Sequence, residues 1–134
     1  MATKSGFSWT ESWEAGANLS TKQFYFMKDD GTGKAIVCNN LTDIPIGVLE
    51  NKPDASGKTA EILRFGRGKV SADASASIAD FIGPSGDGQA IARPLGSAPT
   101  HFIAGAYREA PGATGDIVEA DINCVAPPRS PQID

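Results

Sequence analysis

The side chains in this sequence with the greatest chemical potential are one histidine, His101, two cysteines, Cys38 and Cys124, and the acidic turn Asp29-Asp30-Gly31-Thr32-Gly33 with Lys34 behind it. Nucleophilic hydrolysis needs a hydroxyl or thiol activated by a base, so with a single histidine that chemistry would rest on His101 alone. His101 opens the apolar run Phe102-Ile103-Ala104, and no Gly-x-Ser-x-Gly elbow occurs. It reads as an exposed or hydrogen-bonded histidine at a strand end. Gly31-Thr32-Gly33-Lys34 has the ending of a phosphate loop, but Lys28 stands where the first glycine belongs and Ala35 where a Ser or Thr should follow the lysine. A calcium loop would need carboxylates at alternate positions and a bidentate Glu at its twelfth, which is Asn40. Both matches reduce to a hairpin turn. Cys38 and Cys124 each end an apolar segment and form no Cys-x-x-Cys pair, so they read as reduced, half-buried small hydrophobes, with too few partners for a metal site. The pairs Asp29/Asp30 and Glu119/Asp121 fall in turn and wet-face positions. Asn18-Leu19-Ser20 and Asn40-Leu41-Thr42 fit the glycosylation pattern, but no apolar leader follows Met1-Ala2-Thr3-Lys4, so these are chance matches. The expectation is no catalytic constellation, no metal and no cofactor: not an enzyme.

The elements that hold these residues are short. Fifteen glycines and nine prolines among 134 residues favour many tight turns over long helices. Apolar runs predict strands at 23–28, 34–38, 46–50, 60–65, 69–72, 78–82, 89–92, 101–108 and 116–123. The acidic turn joins the first two as a hairpin. Asn51 to Gly57, Gly83 to Gly88 and Pro111 to Gly115 break the later ones. The final run alternates most cleanly, with Val118, Ala120 and Ile122 on one face and Glu119, Asp121 and Asn123 on the other. Residues Ser71 to Ile82 also fit one helical turn, and are assigned as loop then strand.

Chain length gives one domain, large enough to bury a core, and the composition makes it all-β: a small β-barrel or β-sandwich-like domain over residues 18–124. Residues 1–17 form an N-terminal arm and residues 125–134, with three prolines, a C-terminal tail. A formal net charge of -4 is the wrong sign for capturing phosphate backbones, so nucleic acid is not an expected partner. No apolar run is long enough to cross a bilayer, so no membrane is expected either. Both tryptophans, Trp9 and Trp13, lie with Phe7 in the polar arm. Large aromatics outside a core have two explanations. The arm folds back over the domain's own open edge, or it anchors the domain to a partner.

Several blocks in order carry a family resemblance: Ala15-Gly16-Ala17-Asn18-Leu19-Ser20, Gln23-Phe24-Tyr25-Phe26-Met27-Lys28, Ile44 to Pro53 with its Ile46-Gly47-Val48-Leu49-Glu50-Asn51-Lys52-Pro53 segment, and Ala60-Glu61-Ile62-Leu63. Ile103-Ala104-Gly105-Ala106-Tyr107-Arg108-Glu109-Ala110 and Gly115-Asp116-Ile117-Val118-Glu119-Ala120 continue it. Over residues 15 to 123 the chain resembles the capsid decoration, or cement, proteins of tailed bacteriophages. The resemblance implies a β-rich domain made in the bacterial cytoplasm and carried on the outer capsid surface of the virion. It implies the major capsid protein as partner, a homotrimer at three-fold or quasi-three-fold positions, reinforcement of the shell, and no reaction. The Arg93 to Thr100 connection, the tryptophan-bearing arm and the proline tail depart from the family pattern.

On this reading Phe7, Trp9 and Trp13 anchor an extended arm, which pairs its backbone with a capsid strand edge. Removing residues 1–13 would then leave a folded domain that no longer binds shells. Two rivals come from other classes. A carbohydrate- or receptor-binding domain would use Tyr25, Phe102 or Tyr107 as an aromatic platform; a biotinyl- or lipoyl-carrier would display Lys28 in its hairpin. Ile46, Val48, Ile62, Val118, Ala120 and Ile122 are expected to line the core. Val118→Asp therefore buries an unpaired charge and should unfold the isolated protein, as read by circular dichroism and melting; an unchanged melt would show that the register of the last strand is wrong.

Overall fold

The computed structural model describes residues 8–94 and 100–129. Within these residues nine strands run in order: β1 (Trp9–Ala15), β2 (Phe26–Asp29), β3 (Lys34–Val37), β4 (Gly47–Leu49), β5 (Thr59–Ser71), β6 (Phe81–Pro84), β7 (Ala90–Ala92), β8 (Gly105–Tyr107) and β9 (Ile117–Asn123). Among the described residues there is no helix. The domain is all-β, as its composition predicts.

One long strand organises it. The first half of β5 is paired on both edges: Ile62 stands opposite Leu49 of β4 and Glu11 of β1, and Leu63 opposite Val48 and Thr10. Because β1 also pairs with β3 in parallel, and β3 with β2 and β2 with β4 in antiparallel, the pairings β1-β3-β2-β4-β5 close on themselves as a ring. The second half of β5 pairs with β9 from Phe65 to Ser71, and β8, β6 and β7 extend the sheet beyond β9. A parallel bridge between Ala72 and Ala90 brings β7 back beside the end of β5.

Each half has its own core. Ala15, Met27, Ala35, Leu49, Ala60 and Ile62 contribute side chains from all five ring strands and pack with Leu19 in one buried cluster. The larger cluster takes Phe26, Val48 and Leu63 from the opposite face of the same strands, and adds Val70, Ile82, Tyr107, Val118, Ala120 and Ile122. Of the expected core residues, Val48, Val118, Ala120 and Ile122 fall in this larger cluster, whereas Ile62 and the half-buried Ile46 belong to the ring. Hence Ile62 and Leu63, neighbours in sequence, both have to be apolar.

Between the halves, β5 changes face. Trp9 pairs with Phe65 but Thr10 pairs with Leu63, so Arg64 is an extra residue, a β-bulge that bends the strand and re-aims its side chain. Gly66 follows at φ +119°, a conformation that side-chain-bearing residues rarely adopt. The two runs expected at 60–65 and 69–72 are therefore one strand passing through Gly66-Arg67-Gly68, where apolar periodicity lapses but pairing with β9 continues.

Other boundaries also shift. In the segment expected as a strand at 78–82, Ser77–Asp80 is a turn: Asp80 Oδ2 accepts the Ser77 N–H (3.0 Å), Ala79 sits at φ +72°, and the strand starts at Phe81. Within 101–108 only Gly105–Tyr107 is strand, while Phe102 forms a bridge with Arg129. The Ile103 N–H donates to the Pro128 carbonyl (2.7 Å), so the described part of the proline tail lies along this segment.

The expected arm is also different. Residues 9–15 are β1, a full member of the ring, so the boundary at residue 17 does not separate an arm from a domain. The structure gives the fold-back alternative, because Trp13 packs against the ring cluster and Ala15 is fully buried within it. Deleting residues 1–13 strips β5 of a pairing partner and uncovers Ala60 and Ile62. The expected outcome is loss of the cooperative melt, with exposed apolar surface detected by dye binding; a truncated protein melting like the full chain would overturn this closure.

Candidate interaction surface

The acidic hairpin turn is internally satisfied. Asp29 Oδ1 accepts the N–H groups of Gly31 and Gly33, each at 2.9 Å, and Asp30 Oδ1 accepts the N–H (2.8 Å) and hydroxyl (2.6 Å) of Thr32. These bonds hold the Asp30 carboxyl below the usual carboxylate range. Among the described residues no three His, Cys, Asp or Glu side chains gather as a metal site would require. Lys28 is not displayed as a carrier lysine would be: its ammonium lies 3.0 Å from Asp43 and 2.9 Å from the Asn39 side-chain oxygen. Met27 beside it is fully buried.

The thiols of Cys38 and Cys124 are free and buried, deeper than the half-burial expected of them. Burial drives the Cys38 thiol well above its ordinary value and pushes Cys124 up to about 12, so neither supplies a thiolate at neutral pH. His101 is half-buried at the start of the Phe102 segment. Burial, and then the nearby Arg93 guanidinium, lower its pKa, which favours the neutral imidazole. Of the three aromatics considered for a platform, Tyr107 is fully buried. Its hydroxyl donates to the Ala90 carbonyl (3.2 Å), and burial pushes its pKa up to about 12, with Asp73 and Asp80 adding to the rise. Tyr25 packs on the ring cluster with the Lys22 ammonium 4.9 Å from its ring centre, and Phe102 is covered by Arg129 at 5.4 Å. They do not form a shared exposed platform.

What remains is the outer end of β1. Register with Ala60 and Ile62 turns Ala15, Trp13 and Glu11 towards the ring interior. A carboxylate on that face needs partners, and Glu11 has two: Trp13 Nε1 donates to its Oε1 (3.1 Å), and Arg64 Nη1 lies 3.4 Å from the same oxygen. The bulged Arg64 is a four-way tie. Its Nε donates to the Ile46 carbonyl (3.0 Å), its Nη2 to the Cys124 carbonyl (3.3 Å), and its guanidinium carbon sits 5.5 Å from the Trp9 ring centre. It thus joins β1, the approach to β4 and the end of β9.

Of the three proposed anchors, Phe7 lies outside the described residues, Trp13 is committed to the ring, and Trp9 is 37% exposed. Phe65, opposite Trp9 in register, is 39% exposed. The sequence reading missed Phe65 and Arg64 because it placed β1 outside the sheet, and only pairing shows that an arm residue and a strand residue share one surface. Exposed Leu41 and Ile44 occupy a second loop, braced by Asp43 Oδ2 accepting the Asn39 and Asn40 N–H groups. Trp9 and Phe65 are thus exposed aromatics opposite each other on paired strands, and Leu41 and Ile44 are exposed apolar side chains on a separate, braced loop.

No family model matches the chain, and no curated protein matches it. Solved structures do. One is the N base of the head fiber gp8.5 of bacteriophage phi29, with a TM-score of 0.60 and 17% identity, covering 88% of this chain and 96% of that one. Another is in the capsid of Myoviridae phage XM1, with a TM-score of 0.62 and 16% identity, covering 92% of this chain and 88% of that one. The chain shares its fold with these phage head proteins across most of its length.

Arg64→Ala removes the ties to Glu11, Trp9 and two carbonyls together. A loss of about 2 kcal/mol in unfolding free energy by denaturant titration is expected; no measurable loss would mean that β1 is held by backbone pairing alone.

Proposed function

We propose that this protein decorates the outer surface of a tailed-phage head as a homotrimer, bridging neighbouring subunits of the major capsid protein, and that it turns over no substrate. The observation that carries the reading is the likeness in fold, over about nine-tenths of the chain, to two proteins of phage heads. The chemistry of the chain supports it. The single histidine is held towards its neutral form, both thiols are buried, and the exposed features are apolar side chains on braced backbone.

Reinforcement needs no reaction. A shell under outward pressure separates only if the contacts that bridge its subunits are lost, so a bridging molecule adds its binding free energy to the shell's resistance. Three weak contacts on one trimer act at high effective concentration once the first has docked, and avidity can exceed a single contact by roughly 10²- to 10⁴-fold. The contact residues are Trp9 and Phe65, in place of an arm carrying Phe7, Trp9 and Trp13 as a unit.

The test adds purified protein to capsids that lack it and measures occupancy by electron microscopy and survival of heating and osmotic shock. Wild type is expected to occupy sites across subunit junctions and to raise survival. Trp9→Ala with Phe65→Ala should fold normally and weaken each contact by at least about 30-fold, the effect of truncating an interface hot spot. Occupancy away from junctions, or shells equally robust without the protein, would overturn the reading.

A further inference from the structure

Arg93 is only 4% exposed, an unusual position for a guanidinium. Its polar contacts are to main-chain carbonyls from three separate segments: Nε donates to Phe102 O (3.4 Å), and Nη2 to Leu41 O (3.4 Å) and to Pro84 O. The side chain lies against Gly83, where a Cβ would come within 2.8 Å of Nε. No Asp or Glu among the described residues forms an ion pair with it. Nη1 has no hydrogen-bond partner among those residues. A buried charge without a counter-ion is costly, and the guanidinium fork fits carboxylate geometry.

The space beside it is a cavity of about 310 Å³, lined by Ala79, Asp80, Phe81, Ala92, Arg93 and Pro94. That is the small end of ligand-site volumes, which run from roughly 300 to 1,000 Å³. Of the described lining residues four are apolar and two, Arg93 and Asp80, are charged, the Asp80 carboxylate being turned onto the Ser77 N–H at 3.0 Å. A fixed negative charge at the wall penalises a dianion more than a monoanion, while Arg93 supplies one positive charge to be matched.

We propose that this cavity is a receptor for an organic monocarboxylate on a short apolar stem, with the carboxylate at Arg93 and the stem against Phe81, Ala92 and Pro94. The chemistry is shared by a glutamate side chain of a docked protein and by a free short-chain acid. The site is independent of the head-decoration reading and stands or fails without it.

The experiment titrates isotope-labelled full-length protein with sodium butyrate against sodium chloride at matched ionic strength, following backbone amide resonances. Saturable shifts confined to residues 79–81 and 92–94 are expected for butyrate, with none for inorganic phosphate. Ala92→Leu, which fills the cavity without touching Arg93, should weaken butyrate at least tenfold while leaving the melting temperature within a few degrees; this variant carries the test if Arg93→Gln fails to fold. N-acetylglutamine α-amide, which carries no charge, in place of N-acetylglutamate α-amide checks that the charge is required. Tighter binding of N-acetylglutamate α-amide than of butyrate assigns the site to a protein side chain, and the reverse order to a free acid. No saturation with butyrate, equal response to phosphate, or full binding by Ala92→Leu would overturn the proposal.

Discussion

The backbone of β5 belongs both to the closed five-strand ring and to the part of the sheet that runs on through β9, and almost everything else in the molecule follows from that constraint. Where β5 is paired on both edges, at Ile62 and Leu63, a core lies on each face and both side chains are buried, while Glu61 beside them stays partly exposed. Its first half thus places Ala60 and Ile62 towards the ring and Leu63 towards the larger core. Its second half is paired with β9 and keeps one wet face, where Arg67 stands 3.4 Å from Asp121, which also has Arg108 at 3.5 Å. The change between the two regimes occurs at Arg64, because a bulge is the cheapest way for a continuous strand to exchange its faces.

Closing the ring places a demand on β1 that its composition barely meets. Ala15 and Trp13 are suitable inward residues, but Glu11 on the same face would strand a carboxylate beside the core unless a cation came to it. The bulge brings Arg64 to that position. One irregularity thus bends β5, supplies the counter-charge for Glu11 and presents a cation to the Trp9 ring. Since the side chains of Arg64 and Glu11 remain partly wet, the ion pair escapes most of the desolvation cost of a buried one.

The legible parts of the sequence were those where local pattern and tertiary role agree. β9 alternates Val118, Ala120 and Ile122 with polar residues because one face is wet, and the structure buries that trio. The β2–β3 hairpin was legible for a similar reason, since Asp29, Asp30, Gly31 and Gly33 satisfy the turn without distant help. Legibility failed where distant residues decide. Trp9-Thr10-Glu11-Ser12-Trp13-Glu14 reads as polar, and only its pairing with β5 makes it a strand; Gly66-Arg67-Gly68 reads as a break, and only β9 carries the strand across it. The candidate surface suffered twice. Trp9 stands out in the sequence as an aromatic without a core, but its neighbour Phe65 lies 56 positions away and reads as one more residue of a strand. Arg93 had no local signal at all, because its three carbonyl partners, on Leu41, on Pro84 at the end of β6 and on Phe102, are brought together by the fold alone.

Ring closure also limits how this protein can engage another. An extended arm would offer both edges of its backbone to a partner's sheet, whereas β1 has one edge paired with β5 from Trp9 to Glu14 and its other edge paired with β3 at Glu14 and Ala15. Ring closure covers one edge of β1 that would otherwise be open to pairing with another chain, and the net negative charge adds repulsion between copies. Fixed side chains also lose little entropy on docking, so modest contacts retain more of their gross energy than those of a segment that must first become ordered. For a molecule whose proposed task is to resist separation, rigidity has a further consequence: displacement of one neighbour is transmitted through β5 and its shared pairings to both halves of the domain, rather than being absorbed by a slack tether.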